Sequence, residues 1–269
     1  MTPIPITDLN DPRLDVFRSL RKTNANRRQN LFIAEGTTLV ERVLHSEYDV
    51  ACVLGSEQKL RNFGTRIPAG TTVYSMPREL ASELVGYSFH NGVLVAAHRR
   101  PAAPLCQLVS ANGNSLVLVG DQIIDEQNLG SLIRLGAAFG ASAIVAGAGS
   151  ADAFSRRVLR VSMGNGLTTP VVSGRDTGDV LAELRGMGHT VYGAVLDPAA
   201  TELSRCQFAA RSVIVVGNET HGLSDSVLSV CDHRITISMH NQTDSLNVAV
   251  ATGIFLHACR SQMDAAHAR

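Results

Sequence analysis

RITISMHNQTDSLNVAVATGIF, residues 234–255, runs from a short apolar strand into a polar loop and out into small and apolar residues with helical spacing. The strand ends near Met239. Asp244 or Ser245 stands where a helix N-cap is expected, with Leu246, Val248, Val250 and Ile254 apolar behind it. Ser245 and Asn247 then project from the first turn, where free backbone amides and the positive end of the helix dipole favour polar ligands.

The same unit recurs along the chain. SLVLVGD, AIVAGAG, TPVVSG, TVYGAVL, SVIVVGNE and RITISM are apolar runs of strand length, and helical patterns lie at 128–139, 153–162, 178–187, 224–230 and 245–260. Apolar strands alternating with helices predict an α/β fold whose parallel sheet is covered on both faces. Ligands of such sheets sit beyond the carboxyl ends of the strands. The loops that follow strands are therefore the candidate ligand sites.

RRPAAPLCQL, residues 99–108, interrupts this pattern with two arginines and two prolines, and no periodicity runs through it. A small α/β module precedes it: a helical pattern at about 12–23, LFIAEG, a helix over 37–46, VACVLG, TTVYSM, a helix at PRELASELVG and GVLVAAH. The expected division is a domain over 1–100, a linker over 101–112 and a second domain over 113–269. With 269 residues and 45% hydrophobic content the chain can bury the cores this needs. No apolar run reaches 18 residues, and the N-terminus has acids where a signal peptide would be cationic, so a soluble, cytoplasmic protein is expected. The five cysteines are scattered without a CxxC pair, which predicts neither a disulfide framework nor a metal site.

Lys plus Arg equals Asp plus Glu at 24 each, but the distribution is uneven. Residues 13–28 hold six basic side chains, Arg13, Arg18, Arg21, Lys22, Arg27 and Arg28, against Asp15 alone. That run can meet phosphates or serve as a solvated helix face. A second basic group, Arg156, Arg157 and Arg160, shares one helical side and offers the same two readings.

Two loops besides the first carry chemistry. In DQIIDEQNLGSLIRLGAAFGAS, 121–142, Asn128 stands at the opening of a helix, where an N-cap is the simplest role. Arg134, flanked by Ile133 and Leu135, must either snorkel or find an anion. In SVIVVGNETHGLSDSV, 212–227, a strand enters Gly217, then Asn218 and Glu219, with Ser224 placed to cap the next helix. A glycine directly after a parallel strand lets a ligand approach the backbone closely.

Taken together, NLGSLIR, IVVGNETHGLS and ISMHNQTDSLNVAVATGI, in this order and spacing, resemble the three motifs of the SpoU (TrmH-like) family of RNA ribose methyltransferases in the SPOUT superfamily. The resemblance covers roughly 115–260. RRQNLFIAEG and GVLVAAH are similar, more weakly, to the RNA substrate-binding domain often fused to that family. Two departures stand out: His240-Asn241 where a Met-x-Gly pattern is common, and Thr220 where a glycine is frequent.

The resemblance implies a deep trefoil knot in the C-terminal part, a homodimer, and bound S-adenosyl-L-methionine, with no metal. It implies backbone contacts to that cofactor from Gly217, Ile237, Met239 and Leu246, with Ala194 a further candidate. Asn128, Arg134, Glu219, Ser245 and Asn247 match the catalytic set. Arg21, Lys22, Arg27, Arg28 and Arg160 are the candidate RNA contacts. The substrate implied is the ribose 2′-hydroxyl of a structured RNA, with ribosomal RNA ahead of transfer RNA and drug resistance by rRNA methylation one purpose open to it. Two rivals are an RNA-binding protein without activity and an NAD-dependent enzyme using GAGSAD, 147–152. That loop lacks a third glycine and a clear acid after the next strand.

Overall fold

The structure, a computed structural model, describes residues 2–18, 20, 30–90, 92–109, 113–241 and 243–267. Arg21, Lys22, Arg27 and Arg28 lie outside the described residues. In chain order the front half forms β1 (Ile4–Pro5), β2 (Leu31–Glu35), α1 (Thr37–Leu44), β3 (Val50–Gly55), α2 (Glu57–Phe63), β4 (Val73–Ser75), α3 (Arg78–Val85) and β5 (Val93–His98). The remainder forms α4 (Leu105–Leu108), β6 (Ser115–Gly120), α5 (Glu126–Ala138), β7 (Ala143–Ala146), α6 (Arg156–Val161), β8 (Val171–Ser173), α7 (Thr177–Gly186), β9 (Thr190–Ala194), β10 (Thr201–Glu202), β11 (Arg211–Val216), α8 (Asp225–Val230), β12 (His233–Thr236) and α9 (Val248–His267).

The chain divides into two compact units. The first comprises Met1–Pro101 and Phe154–Leu167, the second Ala102–Ala153 and Thr168–Arg269. The contiguous division expected at 113–269 is therefore corrected, because residues 154–167 find their core in the first unit. Phe154 packs its ring 5.2 Å from Phe32 and 5.8 Å from Tyr48. Leu159 and Leu167 join the cluster of Phe32, Val53 and Val95, and Arg156 pairs with Glu35 at 2.9 Å.

The first unit is a mixed sheet in the order β1-β4-β3-β5-β2, with β5 antiparallel to both neighbours. Alternation along β2 sends Phe32 and Ala34 to one core and Ile33 to the other. The helical pattern at 12–23 becomes a 3-10 turn over Pro12–Phe17, and Arg18 after it is extended. Arg13 bonds Asp11 at 2.9 Å and Arg18 bonds Asp15 at 3.1 Å, so these two cations of the basic run are spent on neighbouring acids.

The second unit is a parallel sheet in the order β10-β12-β9-β11-β6-β7-β8. Every residue of β6 is buried, as strands covered on both faces require. Val117, Val119, Val213 and Val215 pack with Leu181 and Leu184 of α7 and Val227 of α8. Helices α5 and α9 pack on each other. Arg260 of α9 donates from Nε to the Phe139 carbonyl and from Nη2 to that of Gly140, both at 2.8 Å. Gln262 accepts from Phe208 N–H at 3.0 Å and donates to the Cys206 carbonyl at 2.9 Å.

At the amino end of this sheet His189 is buried. Its Nδ1 meets the Leu184 carbonyl at 3.3 Å, which makes Nδ1 the donor and leaves Nε2 to accept from the Ser115 hydroxyl at 3.0 Å. Burial, helped by Arg211, holds its pKa below the usual histidine value of 6.5. The unfolded chain then binds the proton first, so stability falls as pH drops through the mid-sixes. The urea midpoint should decline from pH 8 to pH 5.5 in the parent and decline less in His189→Gln; equal declines would assign the loss to other groups.

Candidate functional site

The carboxyl ends of β6, β11 and β12 open into three loops that hold the polar residues singled out in the sequence. Asp125, not Asn128, caps α5: its carboxylate accepts the N–H groups of Gln127 and Asn128, both at 2.8 Å. Asn128 is thereby relieved of capping, and its side chain reaches two other loops. Its Nδ2 donates to Glu219 Oε1, while its Oδ1 accepts from Asn247 Nδ2 at 3.0 Å.

Asn247 in turn caps α9. Its Oδ1 accepts from Ala249 N–H at 2.9 Å and Val250 N–H at 3.4 Å. This corrects the cap assigned to Asp244 or Ser245, and it places Ser245 in the preceding loop rather than in the first helical turn. The correction has a chemical result. With Oδ1 fixed on backbone donors, the Asn247 amide must present Nδ2 to Asn128, and Asn128 must present Nδ2 to Glu219. A one-way chain of hydrogen bonds runs from the start of α9 to a carboxylate.

Arg134 and Ser245 are exposed and make no hydrogen bond or ion pair among the described residues. Six residues of helix turn Arg134 about 120° from Asn128, so α5 presents them on different sides. Arg160 is exposed on α6, whereas Arg156 is taken up by Glu35 and lies over the Tyr87 ring at 4.4 Å, which removes it from the expected phosphate surface. Val250 and Ile254, apolar residues of α9, are 53% and 39% exposed.

The loop after β11 is closed by its own backbone. Asn218 and Gly222 exchange N–H···O bonds of 3.0 and 2.9 Å, and Asn218 Oδ1 accepts from Thr220 and His221. A Cβ on Gly217 would stand 2.3 Å from the carbonyl carbon and oxygen of Gly222. The glycine thus makes room for the Gly222 and Leu223 backbone. Asn241, at φ 55°, takes a left-handed conformation that glycine adopts readily, so the loop before α9 turns there without one. Thr220 keeps an ordinary negative φ and needs no glycine.

Two supports escaped the sequence reading. Asp121, 3% exposed, accepts from Thr177 Oγ1 at 2.8 Å and from Ser224 N–H and Oγ at 3.0 and 2.9 Å. Ser224 therefore gives its hydroxyl to Asp121 instead of to the cap of α8. An acid directly after an apolar strand was the available signal. Asn218 also donates from Nδ2 to the Gln122 carbonyl at 3.0 Å, tying the loops after β6 and β11.

A cofactor needs unsatisfied groups, and the loops have them. The backbones of Ile237, Met239 and Leu246, all partly buried, make no hydrogen bond among the described residues. Ala194 lies at the end of β9 beside Ile235. GAGSAD is a different case. The N–H groups of Gly147, Ala148, Ser150 and Ala151 all bond neighbouring carbonyls, and a Cβ on Gly147 would meet Thr177 Oγ1 at 2.1 Å. Its glycines serve internal packing, and no row of free amides waits for a pyrophosphate. No helix among the described residues is long and apolar enough to cross a membrane.

Residues 115–257 match the SpoU rRNA Methylase family. An uncharacterized tRNA/rRNA methyltransferase of Mycobacterium bovis is 33% identical, with 93% of this chain and 88% of the relative covered. A 23S rRNA (guanosine(2553)-2′-O)-methyltransferase of Bacillus subtilis is 30% identical over 91% of this chain and 94% of its own length. The crystal structure of an AdoMet-bound rRNA methyltransferase from Sinorhizobium meliloti superposes with a TM-score of 0.85, covering 96% and 97% of the two chains at 24% identity.

Proposed function

The chain belongs to the SpoU rRNA methylase family, and from that premise we propose that it transfers a methyl group from S-adenosyl-L-methionine to a ribose 2′-hydroxyl of structured RNA, ribosomal RNA ahead of transfer RNA. The observation that carries the reading is the joining of Asn128, Glu219 and Asn247, one from each motif, by directed hydrogen bonds. An RNA-binding protein without activity has no use for that alignment.

Gly217, Ile237, Met239 and Leu246, with Ala194 beside them, would hold the cofactor through main-chain groups. The cofactor supplies an electrophilic methyl. The protein's part is to hold the ribose oxygen in line and stabilise its developing charge. Arg134 cannot be the base, because a guanidinium stays protonated. It serves as the cation facing the oxygen or the adjacent phosphate at the other copy's Asn128–Glu219 pair, since α5 turns it away from its own and the proposed dimer builds each site from both copies. Glu219 receives Asn128's donor on one oxygen and keeps the other free to accept from the 2′-hydroxyl. Its position is set by α9 through two amides.

Asn247→Asp separates the two duties of that residue. Aspartate caps a helix as well as asparagine, but it cannot donate to Asn128, whose amide then turns its nitrogen away from Glu219. Thermal stability should stay near the parent's while turnover falls by about 10- to 150-fold, the worth of one hydrogen bond to a charged group. Unchanged turnover would remove the relay from catalysis.

In the proposed assembly the segment after β12 threads a loop to form the trefoil knot. It is supported by β12 lying between β10 and β9 while the chain beyond it returns to Asn128 at the head of α5. Two copies meet over α9, where exposed Val250 and Ile254 favour a covered surface. Residues 1–101 with 154–167 would read RNA, with exposed Arg160 among its phosphate contacts. Mapping 2′-O-methylation in ribosomal and transfer RNA from a deletion strain tests the whole reading: one ribose methyl should disappear and return with the gene. An unaltered map in both RNAs would refute it. Drug susceptibility of the same strain tests a resistance role.

A further inference from the structure

The connection from β6 to α5 combines backbone strain with apolar exposure. Gln122 sits at φ 54°, a left-handed conformation that side chains other than glycine, asparagine and aspartate seldom adopt. Such strain persists only where the surroundings over-determine it. Here they do. Asp121 N–H bonds the Val216 carbonyl at 2.8 Å, Asn218 bonds the Gln122 carbonyl at 3.0 Å, Ile123 N–H bonds Ser150 Oγ at 3.0 Å, and Ala151 N–H bonds the Ile123 carbonyl at 2.8 Å. Ile123 is fully buried, and the residues on either side of it are exposed.

Ile124 is 64% exposed. A loose loop would fold an isoleucine away from water, but this backbone is pinned and holds it out. It immediately precedes the Asp125 cap, four residues before Asn128 in the chain. Gln122 extends beside it, over Gly149, where a Cβ would lie 3.5 Å from Gln122 Cγ. One aliphatic side chain among Gln122, Asp125 and Glu126 is too small an apolar area for a protein interface and is the right size for one ring.

Resting on the reading of this site as a ribose methylation centre, we propose that Gln122 and Ile124 read the target nucleobase, Ile124 packing on its face and the Gln122 amide hydrogen-bonding its edge. A ribose at the Asn128–Glu219 pair carries its base one nucleoside's reach away. A base drawn out of its stack needs apolar cover on its face, and its edge is then open to hydrogen bonds. A side-chain amide offers a donor and an acceptor side by side, the pairing that base edges present.

The test uses the full chain with unmodified transcripts of ribosomal and transfer RNA. Ile124→Ser and Gln122→Gly should each raise the KM for RNA by about 5- to 30-fold, one lost base contact, while leaving affinity for S-adenosylhomocysteine unchanged. The salt dependence of RNA binding should also be unchanged, since no phosphate contact is lost. Gln122→Gly relieves the left-handed strain as it removes the amide, so it keeps the fold, and it should relax discrimination when the methylated nucleotide is replaced by the other three. Unaltered KM and base preference in both variants would overturn the proposal. So would a change of oligomeric state in Ile124→Ser by light scattering, which would place Ile124 under a second copy. A parent that methylates neither RNA would sink the ribose-methylation reading instead.

Discussion

Replacing Arg134 by alanine should lower methyl transfer by a hundredfold or more, roughly 10²–10³, while S-adenosyl-L-methionine binds within about tenfold of the parent. Arg134 is exposed on α5 and has no ion pair or hydrogen bond among the described residues, although it lies between buried Ile133 and half-buried Leu135. A cation left without a partner is available to an anion from outside. The anion proposed is the ribose oxygen or its phosphate, not the cofactor, so chemistry is lost and cofactor affinity is not. Lysine should restore little, because it lacks the planar fork that engages two oxygens together. Single-turnover rates and calorimetry on the same preparations make the check. A fast alanine variant, or one that has lost the cofactor, would take Arg134 out of this role.

Gly217→Ala should do comparable damage by a different route. The added methyl would meet backbone at 2.3 Å from Gly222 and 2.5 Å from the Leu223 nitrogen, atoms that cannot swing aside as a side chain can. The Asn218–Gly222 bridge must open, at a cost of about 1 to 3 kcal/mol for overpacking plus the bonds lost. Glu219, on that loop, loses its place beside Asn128. Cofactor binding and turnover should both collapse. Gly222→Ala is the contrast: nothing lies within 4 Å of its missing Cβ, and only its left-handed φ of 69° is strained, so about 1 to 2 kcal/mol is expected. Calorimetry and thermal melts on the pair separate the cases. Similar, mild effects at both positions would show a loop able to relax.

The parallel sheet of the second unit was legible because its strands are short apolar runs bounded by polar loops. α2 was not, since EQKLRNF buries only Leu60 and Phe63 and shows little periodicity. Helix starts were misplaced where several capping residues compete. In DEQN and DSLN an aspartate and an asparagine both qualify, and only three-dimensional partners decide that Asp125 caps one helix and Asn247 the other. The polar set of the site could be named through resemblance, but its wiring could not. Asn128 is 91 residues from Glu219 and 119 from Asn247, and no local pattern reports such contacts. Residues 154–167 were placed in the wrong unit for the same reason: periodicity announces a helix without saying which core it joins.

That last segment has a consequence for synthesis. Phe32 and Tyr48 await Phe154, and Glu35 awaits Arg156, so the first unit remains unfinished when Pro101 leaves the ribosome. About fifty more residues must follow, roughly 3 to 10 s at about 5–20 residues per second. During that interval a greasy edge faces solvent with its cover still untranslated. Chaperone dependence and proteolytic nicking of nascent chains should therefore peak for lengths between Pro101 and Leu167, and fall once the tyrosine and phenylalanine are sealed.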